Sequence, residues 1–76
     1  MKGNKMRLEY KNQYENTFKF WEIKIESKNK VITKYGRIGI QNPAKTENEF
    51  SSKELAKKYA EKKIREKMNK GYVEIN

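Results

Sequence analysis

The chain is 76 residues long, has no cysteine and no histidine, and sets nineteen lysines and arginines against ten carboxylates, a formal charge of +9 at pH 7. That excludes disulfide scaffolds, the usual Cys/His zinc sets and imidazole acid–base chemistry, and a chain this short buries only about 60–65% of its unfolded surface. No apolar run approaches the roughly 18 residues of a membrane span, so the expectation is one small cytoplasmic domain whose partner is a polyanion.

Residues Met1 to Arg7 show no periodicity and no apolar stretch of a signal peptide. They read as a basic flexible arm, with the folded domain expected over residues 8–76. Leu8 to Tyr10 alternates as a short strand, and Lys11 to Asn16 is polar turn material. Thr17 to Glu26, with Phe18, Phe20, Trp21, Ile23 and Ile25, is the strongest strand signal. Its apolar residues switch from even to odd positions between Phe20 and Trp21. Either a bulge sits there or both faces are covered.

Ser27 to Lys30 reads as a turn, so the following strand, Val31 to Ile40, forms an antiparallel hairpin with its predecessor. Gln41-Asn42-Pro43 breaks the ladder, and Thr46 to Phe50 gives a further short strand. Ser51-Ser52-Lys53-Glu54 matches a capping box with Ser51 as cap, and Phe50 and Leu55 stand where a hydrophobic staple would. The helix is expected from about Ser52 to Lys70, ending at Gly71. Leu55, Ala56, Tyr59, Ala60, Ile64 and Met68 share its apolar face, and Lys63 and Lys67 fall in the middle. Those lysines read either as stems snorkelling past the core or as cations overhanging the sheet toward a partner. Tyr72 to Ile75 alternates as an edge strand or docked tail. Tyr59 and Lys63 have a dehydrogenase-like spacing, but no glycine-rich dinucleotide turn accompanies them.

The candidate functional stretch is Lys34-Tyr35-Gly36-Arg37. On a strand Tyr35 and Arg37 share a face, and Gly36 between them lets another molecule's backbone approach. A ring beside a guanidinium suits a nucleotide, the ring stacking and the fork gripping phosphate. The same residues would also serve as a packing aromatic and a solvated charge. Lys34, Lys63 and Lys67 complete the candidate set. Sixteen of the nineteen cations are lysine, which favours phosphate neutralisation over base reading.

In its order of residues the chain resembles the WGR domain, found in DNA-dependent poly(ADP-ribose) polymerases and in bacterial proteins. The resemblance rests on Leu8-Glu9-Tyr10, Lys19-Phe20-Trp21-Glu22, Gly36-Arg37-Ile38-Gly39, Phe50 with Ala56, and Glu66-Lys67 followed by Lys70-Gly71-Tyr72. It implies an α+β fold, one antiparallel sheet of four to five strands with a long C-terminal helix packed on it. It also implies nucleic-acid binding, in the polymerases through an aromatic stacked at a DNA end. The motif's aromatic falls on Tyr35, where the family has tryptophan, its glycine on Gly36 and its arginine on Arg37. Gln41-Asn42-Pro43 replaces the usual glycine-rich continuation. No catalytic polymerase domain is included, so no transfer chemistry is carried over. The expectation is a non-enzymatic, monomeric module without metal or cofactor, binding nucleic acid, DNA foremost, with an acidic protein as the alternative partner and no membrane.

Overall fold

The computed structural model describes residues 5–75. Its elements follow in the order β1 (Lys5–Asn12), β2 (Thr17–Glu26), β3 (Lys30–Arg37), β4 (Ala44–Glu49), α1 (Lys53–Asn69) and β5 (Val73–Ile75). A single 3-10 turn, Ser27–Asn29, joins β2 to β3. The sheet order is β4-β3-β2-β1-β5, and every neighbouring pair is antiparallel. This is the α+β architecture expected from the sequence, with β5 added at the β1 edge.

β1 begins at Lys5 rather than Leu8, because Lys5, Met6 and Arg7 pair with Lys24, Ile23 and Glu22 of β2. The arm expected over residues 1–7 thus gives its last three residues to the sheet, and its first four lie outside the described residues. The switch at Phe20 and Trp21 is not a bulge: β2 pairs one residue to one with both neighbours through that point. Both faces are covered instead. Trp21 and Ile23 lie under the helix, while Phe20, 6% exposed on the opposite face, is covered by the Arg7 guanidinium 4.4 Å from its ring centre. Arg7 is held there by Glu22 at 2.7 Å and Glu9 at 3.0 Å. Burial works against its charge, but the hydrogen bonds and the negative charges of Glu22 and Glu9 together outweigh burial and raise its pKa.

β3 stops at Arg37, three residues short of the expected Ile40. The Ile38 N–H still donates to the Phe18 carbonyl of β2 at 2.9 Å; the chain then turns, the Ile40 N–H donating to the Arg37 carbonyl at 3.1 Å, and Ile40 leaves the ladder. β4 begins at Ala44, just past Pro43, and the Thr33 and Thr46 hydroxyls hydrogen-bond to each other across β3 and β4.

The helix cap is Ser52, not Ser51: the Leu55 N–H donates to the Ser52 Oγ at 3.2 Å. Leu55 is 47% exposed, and Phe50 packs with Tyr59, ring centres 5.0 Å apart, in place of the expected staple. α1 lies over β2 and β3. Ala56 and Ala60, one turn apart and buried, join Leu8, Trp21, Ile23 and Val31 in the core, with Ile64 and Tyr59 at its margin. Two small residues at that spacing present a low ridge to the bulky sheet side chains. Met68 is exposed like Leu55, since both sit on the flanks of a face centred on the alanines.

The helix ends in a Schellman motif. The Gly71 N–H donates to the Met68 carbonyl at 3.0 Å and the Tyr72 N–H to the Lys67 carbonyl at 3.1 Å. Gly71 has φ +105°, the conformation this cap requires.

Candidate nucleic-acid interface

Register places the charges. On the open face of the sheet Lys5, Arg7, Lys11, Lys24, Lys30, Lys34 and Lys45 alternate with Glu9, Glu22, Glu26, Glu47 and Glu49. Most are tied in ion pairs, Arg7 to Glu9 and Glu22, Lys24 to Glu26, Lys30 and Lys45 to Glu47. The Glu47 carboxyl is pulled below its ordinary pKa by a hydrogen bond and by charge from Lys45, with Lys30 adding to it. Neutralised cations leave little net field for a polyanion. The segment Lys53 to Lys70 is different, with eight basic residues against three acidic.

The helix and the strand ends meet at a groove of ≈ 220 Å³ lined by Trp21, Tyr35, Tyr59, Lys63, Lys67 and Lys70, with Glu66, Thr33 and Thr46 also on its wall. Trp21, 4% exposed, forms the bottom, and Tyr35, its cross-strand neighbour at 42% exposure, forms the open side. Ala44, paired with Tyr35 on β4, is too small to cover the ring. The Lys63 ammonium stands 5.7 Å from the Tyr59 ring centre and 3.6 Å from Glu66. The Tyr59 hydroxyl accepts a hydrogen bond from the Asn48 side-chain amide at 3.3 Å.

Lys67 is the ridge of this surface. Its ammonium lies 5.9 Å from the centre of the Trp21 ring and 5.2 Å from that of Tyr72. The stem therefore does not carry the charge past the core; the charge is held over two rings, inside cation–π range. Burial lowers the Lys67 pKa, and Lys70, Lys19 and Lys63 lower it further, with only Glu66 opposing. Among the described residues no carboxylate forms an ion pair with Lys67, Lys70, Lys19 or Arg37. On the far side of Lys67 a second groove, ≈ 290 Å³, is lined by Tyr10, Thr17, Lys19, Lys67, Lys70 and Tyr72, together with Glu15.

The candidate residues therefore divide. Tyr35, Lys63 and Lys67 meet in the first groove. Arg37 shares their side of the sheet, opposite Lys19, and is exposed at the end of β3. Lys34 points to the open face, in the row of Glu22 and Lys45. Gly36 does too, and its surface is occupied: a Cβ there would stand 3.2 Å from the Ile40 Cγ2, so the approach it permits is that of the chain's own turn. Lys19, Lys70, Trp21 and Tyr59, read from the sequence as strand, helix or motif positions, were not among its site candidates. Lys19 shares a strand face with Trp21, and Lys70 lies one turn beyond Lys67, signals that only the fold brings together.

Among the described residues no group of side chains could hold a metal ion, and no helix is long and apolar enough to cross a membrane. The family model of the WGR domain matches residues 4–76, essentially the whole chain. No curated protein and no solved structure matches it.

Proposed function

The chain belongs to the WGR domain family, a family associated with nucleic-acid binding and not catalytic by itself, and from that premise we propose that it binds DNA through the grooved face between α1 and the ends of β2 and β3. Lys19, Lys63, Lys67 and Lys70 neutralise phosphates, Arg37 supplies an oriented fork at the strand end, and the exposed ring of Tyr35 stacks on a base or sugar. Lys34 and Gly36 have no place in this contact.

One observation carries the reading. Lys67 is pressed among three other ammonium groups and over two rings, with no carboxylate among the described residues ion-paired to it. Concentrating like charge in a partly dehydrated position is unfavourable for the free domain. A phosphate removes that repulsion, so binding gains more there than at a scattered surface lysine. If three to five phosphates are neutralised, log affinity for duplex DNA falls with log salt at a slope of about −3 to −4.5. A salt titration of the binding constant tests this, and a flat dependence overturns it.

A further inference from the structure

Resting on that reading, we infer that the grooved face takes an unpaired nucleotide step, a single strand with its two bases splayed to either side of Lys67, in preference to intact duplex. The two grooves share Lys67 and Lys70 as a common wall. Each has aromatic lining of its own, Tyr35 with Tyr59 on one side and Tyr10 with Tyr72 on the other. The shared ammonium stands at nearly the same distance from both floors, 5.9 Å from Trp21 and 5.2 Å from Tyr72.

That layout matches the repeat of a nucleic-acid strand, in which one phosphate joins two bases. Seated on Lys67 and Lys70, the phosphate leaves its bases pointing into opposite grooves. Bases inside a duplex keep their π-faces against one another and offer the protein only edges and backbone. Rings set in grooves beside a helix are reachable only by bases that have left the stack. Aromatic floors flanking a cationic ridge are the arrangement by which single strands are held without sequence preference. Each groove has one carboxylate in its lining, Glu66 in the first, where it pairs with Lys63, and Glu15 in the second.

The test is a pair of titrations at one salt concentration, a short oligothymidylate strand against a blunt duplex of the same length, read by anisotropy of the labelled nucleic acid. Trp21, the sole tryptophan, reports occupancy of the first groove through its fluorescence. The expected result is single-strand binding tighter by about tenfold or more, a Trp21 signal with the strand and little with the duplex, and loss of the preference in Tyr35→Ala, whose exposed ring the core does not need. Lys19→Gln, in the second groove, should weaken the strand more than the duplex. Equal or tighter binding of duplex overturns the inference and leaves the proposed DNA-binding function standing. Binding of neither overturns both.

Discussion

The Lys67 ammonium rests 5.9 Å from the centre of the Trp21 ring, so a charge forms part of the cover over the most buried aromatic of the domain, beside the apolar side chains of the core. Burial and the neighbouring Lys70, Lys19 and Lys63 lower the Lys67 pKa from its ordinary 10.5. The unfolded chain, with its lysine at the ordinary value, then binds more protons than the native state between the lowered value and 10.5, and stability rises with pH across that window. Wild type should gain stability relative to Lys67→Met as pH is raised through it. Melting temperatures of the two proteins at a series of alkaline pH values measure this, and parallel curves would mean that Lys67 titrates as a free lysine. Bound DNA should raise the Lys67 pKa again, so binding in that window takes up a proton.

Removing one phosphate-neutralising charge lowers the salt slope by roughly one. Lys67→Gln and Lys70→Gln should each do so, while Lys34→Gln, on the open face beside Glu22 and Lys45, should leave it unchanged. Binding constants at several salt concentrations for the three variants decide whether the grooved face or the open face meets the polyanion.

Ser52 caps α1 through the Leu55 N–H. Ser52→Ala should cost about 1 kcal/mol of stability, and Ser51→Ala should be nearly neutral. Urea melts of both separate them; a larger loss at Ser51 would relocate the cap.

The same pair of serines shows what the sequence could and could not tell. Ser51 and Glu54 satisfy the capping-box spacing, yet Ser52 also has a hydroxyl three residues before an amide, and only the path of the chain from β4 decides between them. Strands with a buried face were legible because alternation records burial: Trp21 and Ile23 on β2, Val31 and Thr33 on β3. Lys5 to Arg7 were missed because Lys5 and Arg7 read as part of a basic arm, although Met6 between them continues the alternation of Leu8 and Tyr10 and packs against the core. Arg7 also explains the double-sided β2, since a guanidinium over Phe20 covers it as an apolar residue would. Tyr35, Lys63 and Lys67 were visible one by one as strand or helix positions. Their meeting with Lys19 and Lys70 depends on where α1 crosses the sheet, which is set by Ala56 and Ala60 and written in no local pattern.

Gly71 couples the helix end to the second groove. Its Cα faces Tyr10, and a Cβ would stand 3.0 Å from Cε1 and 3.3 Å from Cδ1 of that ring. The backbone there also has a positive φ. Gly71→Ala should therefore cost about 1–2 kcal/mol and displace Tyr72, whose ring centre lies 5.6 Å from that of Tyr10. A melt gives the first effect, and weakened binding by the still-folded variant gives the second. An unchanged melting temperature would mean that neither the positive φ nor the Tyr10 contact costs the alanine variant stability.

Tyr35 separates stacking from packing. It pairs with Trp21 across the strands, but at 42% exposure its ring lines the groove without filling the core. Tyr35→Ala should therefore lose little stability, while losing about 1–3 kcal/mol of binding through the missing stack. Tyr35→Trp, which restores the family's usual residue, enlarges the ring without adding charge, and the small Ala44 beside it leaves room for the larger face. Affinity should rise modestly. Neither variant changes the number of neutralised phosphates, so the salt slope should equal that of wild type in both. A melt paired with a titration at two salt concentrations reads all three quantities on each variant. If both variants melt several degrees lower and their folded fraction binds as wild type does, the ring is a packing element, and the contact belongs to the lysines alone.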